Sequence, residues 1–467
     1  MSFGARVPDL AATWNQRRGE RSLLLACLGC VAIGFLLVLG SRYGADRPLV
    51  AADLRPLLIY GASLATLHLA LVALGHRGDQ VLVTVTAFLT GLGLLAQTRM
   101  GTLDRSDALV RGDLLLPLGL LVMLIVTGIF RDGRHRLLAR GFWVWGAVSV
   151  ALVALLLVTG QRFRGAVFGF GLFTPTELLK ITVVLFVAGF VDRHARTLGR
   201  WHPRYPLPPW KPLWQLLAFW VALTALLLIQ RDLGMVAILA VPVLALLMTG
   251  TGRVGYLVYG LLGALGLGLL MLGVFEHGER RLAAWLDPFE DPTGDGWQIL
   301  QGLSGLYSGG LWGEGFGLGS PGYTPIAESD FIYSVIGEEL GLVGCSVVIL
   351  FYLILFQRGL QITEQSRCGF GRLLAAGLTA VLATQTFLNV AGVTKLVPLT
   401  GVTLPLISQG GASLVVTSTS LGLLLAVSDT AQGTARRKRK GGREGGPSRS
   451  PRAPKRRGAA RLQAPRD

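Results

Sequence analysis

The chain has 467 residues, 51% of them apolar and only 15% charged, against about 25% charged in an ordinary soluble domain. Mean hydropathy is +0.55, which excludes both a soluble globular enzyme and a disordered chain. The formal charge of +17 does not select nucleic acid as a partner, because thirteen of the 44 Lys and Arg are gathered after Asp429.

Apolar runs of about 20 residues, enough to cross a bilayer, recur along the sequence. Lipid offers no partner to open backbone groups, so the expected fold is an all-α, polytopic helical membrane bundle. Twelve spans are expected, near 22–40, 57–75, 81–98, 114–130, 142–159, 176–191, 212–229, 233–249, 257–275, 331–356, 373–394 and 402–428. The first follows a polar, Arg-bearing start and is followed by further spans, so a cleaved leader is not expected. Cys27 and Cys30 share one face of that span without further ligands, and read as small packing residues. Residues 1–80 carry two spans and residues 81–428 the other ten.

With the N-terminus inside, Lys and Arg favour the inner segments, among them "RDGRHRLLARG" and "DRHARTLGRWHPRYPLPPWK". Both termini are therefore expected in the cytoplasm. Residues 429–467 are rich in Gly, Pro and Arg and are expected to form a disordered basic tail near anionic lipid.

Four outer segments converge if the helices bundle: "GQRFRGAVFGFGLFTP" (160–175), "QRDLG" (230–234), the long loop 276–330 and "KLVPLTG" (395–401). The long loop carries Trp285, Phe289, Trp297, Tyr307, Trp312 and Phe316, and is expected to fold against the membrane surface. In "FTPTELLK", Glu177 and Lys180 form an i,i+3 pair at the mouth of a span. The pair either neutralises two buried charges or keeps a cation ready for a phosphate. Arg164, Arg231, Arg280, Arg281 and Lys395 run against the positive-inside bias, and their place beside the converging loops points to an anionic ligand.

"PIAESDFIYSVIGEELGLVG" opens the next span. Ser329 or Asp330 is placed to cap that helix, and Asp330 is equally placed to serve as a general base whose pKa partial burial raises. Glu338 and Glu339 lie deeper and point about 100° apart, so neither pairs with Asp330. They are expected to face the bundle interior as a polar contact between helices. The glycines of "GGLWGEGFGLGS" read as a tight loop and not as a nucleotide motif, and "DPFEDPTGDG" reads as turns and not as a calcium loop. Pro405, Ser408, Gly410 and Gly411 interrupt the last span where backbone lines a cavity, with Asn389 and Gln385 supplying polar groups on the preceding one.

These motifs, in this order, resemble the SEDS family, the RodA/FtsW/SpoVE proteins of bacterial cell-wall synthesis. The resemblance runs from about Gln80 to Asp429 and rests on "FTPTELLK", "QRDLG", "DPFEDPTGDGWQILQGLSGLYSGGLWGEGFGLG", "ESDFIYSVIGEELGLVG" and "NVAGVTKLVPLTGVTLPLISQGGASL". It implies a ten-span core preceded here by two extra spans. The implied activity is a glycosyltransferase that polymerises lipid II into peptidoglycan strands beside a class B penicillin-binding protein. The family's essential loop aspartate maps onto Asp330, its loop arginine onto Arg164, and its Glu/Lys pair onto Glu177 and Lys180. Four positions depart from the pattern: Gly165 stands where a tryptophan is usual, Arg231 where the Gln-Pro-Asp motif has proline, and Gln409 and Ala412 within the closing Ser-Tyr-Gly-Gly-Ser.

The chemistry expected is deprotonation of an acceptor sugar hydroxyl by Asp330. Arg164, Lys180 and Arg280 or Arg281 would stabilise the departing diphosphate, with or without a divalent cation, Mg2+ or Mn2+. Two alternatives stand beside it: a transporter flipping lipid II between leaflets, for which no inverted repeat is apparent, and a non-catalytic scaffold for a transpeptidase.

Overall fold

The computed structural model describes residues 10–42, 51–104, 112–159, 161–163, 166–168, 174–202, 207–274 and 276–444. Its helices in chain order are α1 (Leu10–Gln16), α2 (Arg18–Arg42), α3 (Arg55–Ala73), α4 (Gln80–Met100), α5 (Gly112–Phe130), α6 (Phe142–Thr159), α7 (Leu179–Leu198) and α8 (Trp210–Ile229). They continue with α9 (Leu233–Thr251), α10 (Gly255–Val274), α11 (Glu276–Leu286), α12 (Trp297–Ser308), α13 (Ile332–Gln365), α14 (Gly369–Val393) and α15 (Gly411–Glu444). A short antiparallel pair, Gln161–Phe163 with Ala166–Phe168, precedes α7.

Each of the twelve expected spans coincides with one of these helices. Eight are long and apolar enough to cross a membrane, so the protein is a polytopic helical membrane protein. Pro117–Phe130, Phe142–Val158 and Gly255–Gly268 are shorter apolar stretches. Helix α7 carries Lys180, Asp192, Arg193 and Arg196 and falls in neither group. Helices α4, α14 and α15 form the centre, with 89%, 72% and 72% of their apolar stretches buried, whereas α3 and α8, at 33%, present leucines outward to lipid.

Local chemistry sets the helix ends. Asp79 caps α4 by accepting from the Leu82 N–H at 2.8 Å, and Asp232 caps α9 by accepting from Met235 N–H at 2.9 Å. On the side opposite the long loop, α2 packs on α4, and Arg17 pairs with Glu20, whose carboxylate also meets His68 Nδ1 at 2.8 Å.

Two expectations are corrected. The last span does not begin at 402: residues 401–410 are non-helical and largely buried, and α15 starts at Gly411. Pro405 cannot donate to a helix, and Leu406 takes φ +70°. The chain does not become disordered at 429, since α15 runs on to Glu444; residues 430–440 lack proline and end in Lys and Arg, which suit a helix C-terminus. Residues 445–467 of the tail lie outside the described residues. Helix α13 is also interrupted, at Gly341, where φ is +64° and ψ −165°.

That interruption is built with the long loop. The carbonyls of Glu338 and Glu339 accept from Glu314 and Gly315 N–H, and the loop carbonyls of Gly310 and Leu311 accept from Leu342 and Val343 N–H. A Cβ on Gly341 would stand 2.5 Å from the Leu311 oxygen, so only glycine lets the backbones approach. Side chains complete the contact. Glu339 Oε1 accepts from Arg99 Nε of α4 at 2.7 Å, and a second Arg99 nitrogen donates to the Gly319 carbonyl at 2.6 Å. Glu338 Oε1 accepts from Ser320 N–H at 2.6 Å.

The Glu339 and Arg99 side chains are 4% and 19% exposed, so removing one leaves the other charge buried without its partner. Arg99→Ala or Glu339→Ala is expected to cost about 3 kcal/mol. Thermal unfolding of the detergent-solubilised protein reads this, and the double variant should fall less than the sum of the two.

Candidate active site at the outer membrane boundary

The chain enters α13 through a turn in which the Phe331 N–H reaches back to the Ile326 carbonyl. Neither Ser329 nor Asp330 caps the helix: the cap position is Phe331, with no side-chain bond. The turn directs both residues elsewhere. Ser329 Oγ donates to Asp330 Oδ1 at 3.1 Å, and Asp330 Oδ2 lies 3.5 Å from where a Cβ on Gly401 would stand. Gly401 has φ +70°, so it supplies both the turn and the space beside the carboxylate.

The non-helical segment 401–410 is tied around this turn. Asn389 Nδ2, from α14, donates to the Asp330 carbonyl at 2.8 Å and to the Val402 carbonyl at 2.6 Å. Ser408 Oγ donates to the Ser329 carbonyl at 2.5 Å and accepts from Leu404 N–H at 2.8 Å. Gln409 N–H donates to the Glu328 carbonyl at 2.8 Å. The Pro405 carbonyl accepts from Tyr352 of α13. Gly410 and Gly411 form the passage from this segment into α15, and the Leu414 N–H donates to the Gly410 carbonyl at 2.8 Å.

Two cations approach from other elements. Arg281 of α11 donates to the Leu399 carbonyl at 3.4 Å, and lies within electrostatic reach of both Asp330 and Asp232. Lys180 of α7 is 2% exposed and donates to Glu177 Oε2 at 2.7 Å and to Gln385 Oε1 at 2.9 Å. Gln385 in turn donates to the Thr403 carbonyl at 2.9 Å. Asp232 is coupled to Lys180, Glu177 and Arg281, so it joins the two cations.

Burial raises the Asp330 carboxyl above its ordinary range, and Glu328 adds to this; the Ser329 hydroxyl and Arg281 draw it down only partly. Asp232 is likewise raised by burial, against the Met235 N–H and Lys180. Burial lowers the Arg281 guanidinium, which the two carboxylates oppose. A carboxylate held in this way accepts a proton more readily than one in water, while the cations beside it favour an anionic group.

The structure therefore gathers Asp330, Arg281, Glu177, Lys180, Asn389, Ser408 and Pro405. It does not bring the others to the carboxylate. Lys395 turns at φ +60° and donates to the Leu286 carbonyl at 3.3 Å, while its own carbonyl accepts from Trp285 at 3.0 Å, so it fastens α11. Arg280 is exposed on α11. Glu338 and Glu339 hold the long loop, as described above. Arg164 lies outside the described residues. Sequence reasoning missed Asp232, although "QRDLG" had been noted as an outer link, and missed Arg99 at the end of an apolar run. Among the described residues, no group of three or more His, Cys, Asp or Glu is placed to hold a metal ion.

A family model described as "Cell cycle protein", FtsW/RodA/SpoVE, matches residues 79–433. The chain belongs to the FtsW/RodA/SpoVE family. It is 34% identical over 441 residues to the peptidoglycan glycosyltransferase RodA of Mycobacterium tuberculosis (strain H37Rv), covering 89% of this chain and 91% of that one. It is 34% identical over 381 residues to a probable peptidoglycan glycosyltransferase FtsW of Geobacter metallireducens, covering 77% and 96%.

Among solved structures, it matches a chain described under "structural coordination of polymerization and crosslinking by a peptidoglycan synthase complex" with TM-score 0.60 and 25% identity, covering 76% of this chain and 98% of that one. RodA of Thermus thermophilus matches with TM-score 0.54 and 27% identity, covering 75% and 97%. Within the FtsW/RodA/SpoVE frame, Asp330, Arg281 and Lys180 all fall inside the matched range, whereas α1–α3 precede it.

The raised Asp330 also sets a pH signature. Its folded pKa lies above the ordinary 3.8, so the stabilising effect of its protonation is full below that value and is lost as pH rises through the folded pKa. Asp330→Asn carries no such charge. It is expected to melt higher than the parent at neutral pH, with the difference vanishing below pH 3.8. Melting temperatures measured across pH test this; an equal gap at all pH values contradicts it.

Proposed function

We propose that this FtsW/RodA/SpoVE protein is a peptidoglycan glycosyltransferase that polymerises lipid II into β-1,4 glycan strands at the outer face of the cytoplasmic membrane. It would act with a class B penicillin-binding protein transpeptidase, in line with the synthase complex that its fold resembles. The observation that carries the reading is the Asp330 carboxylate, half-buried at a helix mouth within electrostatic reach of Arg281, which shares Asp232 with Lys180. With twelve crossings and the Lys/Arg bias of the inner segments, both termini would lie in the cytoplasm and this mouth outside. The ten-span core, 81–428, then holds the whole site, with residues 1–80 and the basic tail, 429–467, as additions to it.

Asp330 takes the proton from the 4-hydroxyl of the acceptor's GlcNAc as that oxygen attacks the anomeric carbon of the donor strand. The new C–O bond forms on the face opposite the leaving group, so the configuration inverts to β. The bond from the anomeric carbon to the diphosphate breaks with its electron pair, and undecaprenyl diphosphate departs. Arg281 and Lys180 are the groups that meet the growing charge on that oxygen, and Arg164 is assigned the same role. Asp232 and Glu177 keep the two cations in place between turnovers. A Mg2+ or Mn2+ ion that takes part would arrive on the diphosphate, because the protein carboxylates here are already engaged with cations.

The test uses purified protein with its partner and labelled lipid II. Asp330→Asn should lower polymerisation by about 100-fold or more. In the parent, activity should fall on acidification with a midpoint above the ordinary carboxylate range, since the base must be unprotonated. Wild-type rates in Asp330→Asn would rule out the base assignment. Movement of lipid II between leaflets without polymer would favour a transporter.

A further inference from the structure

A polar cavity of about 350 Å3, separate from the Asp330 site, lies in the long loop against α12 and the first turns of α13. It falls at the small end of ligand cavities, about 300–1,000 Å3. Its lining includes Gln301, Ser304, Gly305, Glu314, Tyr323 and Glu338. None of these belongs to the Asp330 site. The two regions share α12: Gly302 packs on Phe331, next to Asp330, and accepts from Ser334 Oγ at 2.8 Å, whereas Ser308 at the far end borders the cavity. Those two α12 residues are about 9 Å apart along the helix axis.

The lining has a definite chemistry. Glu338 is 6% exposed, and its Oε1 is fixed by Ser320 N–H. Its Oε2 faces Gly305, 3.7 Å from where a Cβ would stand, so the absence of a side chain there keeps the floor open. Glu314 adds a second carboxylate at the rim. Two carboxylates repel a diphosphate, so this is not a second site for the carrier. They accept hydrogen bonds from hydroxyl groups, as does the Gln301 carbonyl, whose amide also donates. Tyr323, 77% exposed, offers a ring face at the rim for the apolar face of a sugar.

We infer that this cavity is a saccharide subsite, which holds neutral sugar units of the growing glycan strand beside the Asp330 site. The inference rests on the glycosyltransferase reading for the source of the saccharide, but the binding chemistry stands on the cavity itself. Holding the strand after each addition keeps it from leaving with the carrier's motion, so the cavity sets strand length.

The probe is the β-1,4-linked tetramer of N-acetylglucosamine, which is uncharged and carries no peptide or lipid. Its binding to the full chain in lipid nanodiscs is measured by calorimetry or ligand-observed magnetic resonance. The parent and Asp330→Asn should both bind it. Gln301→Ala should bind about five-fold more weakly, the worth of one hydrogen bond. Gly305→Met should also bind more weakly, by filling the floor. Tyr307→Ala, on α12 but 90% exposed and outside the lining, should bind as the parent does. In polymerisation assays, the Gln301 and Gly305 variants should release shorter strands.

No binding by the parent overturns the proposal, as does equal binding by Gln301→Ala. So does binding that appears only when a stem peptide is attached, which would make this a peptide site. Tetramer binding that depends on Gln301 in a chain without polymerase activity supports the subsite and overturns the glycosyltransferase reading alone.

Discussion

Backbone that is neither helix nor closed sheet survives at membrane depth only if its carbonyl and amide groups are paired. Residues 401–410 meet that condition through side chains from three helices. Gln97 of α4 donates to Ile407, Gln385 and Asn389 of α14 donate to Thr403 and Val402, and Tyr352 of α13 donates to Pro405. Ser408 and Gln409 then bind the backbone of Ser329 and Glu328. The position of Asp330 is thus a consequence of how this segment is satisfied. Asn389 makes this explicit, since one amide nitrogen serves both Asp330 and Val402.

The electrostatics follow from the same geometry. Asp330 and Asp232 flank Arg281, and Asp232 and Glu177 flank Lys180, so carboxylates and cations alternate across the mouth. On the proposed reading, an arriving diphosphate would compete for the cations with carboxylates that are already in place. This reduces the cost of desolvating the cations, because they are partly dehydrated before the ligand comes. In that proposal Asp330 would be less compensated while Arg281 engaged the ligand, which would raise the affinity of the carboxylate for a proton.

Much of this was legible from the sequence. Spans are set by apolar length, which solvent alone dictates, and all twelve coincide with helices. Asp330, Glu177 and Lys180 were found because charge near an apolar run is costly and therefore informative. What escaped depends on tertiary pairing. Glu339 was expected to meet another helix, yet nothing in the chain near it names Arg99, which lies 240 positions away. Ser329 and Asp330 carry the pattern of a cap, but the Ile326–Phe331 turn aims them at segment 401–410 instead. Lys395 looked like an anion contact, and its left-handed backbone turns it to the end of α11. The helix beyond Asp429 was hidden by the average composition of a tail whose first turns alone lack Pro.

One departure from the family pattern acquires a physical meaning in the fold. Arg231 occupies the place where the Gln-Pro-Asp motif has proline, and its φ is +63°. A proline ring holds φ near −65°, so a proline cannot take this conformation. The turn between α8 and α9 is therefore one that a proline at 231 could not form, and it delivers Asp232 to cap α9 and face the two cations. Gly234, just after it, fits against the Thr400 carbonyl and Val402, where a Cβ would stand 3.1 Å from each. The turn is thus held from both sides, by its cap and by this contact. Arg231 places an exposed guanidinium next to Asp232. The same contact joins "QRDLG" to the segment that positions Asp330, so these two sequence-distant motifs are parts of one wall.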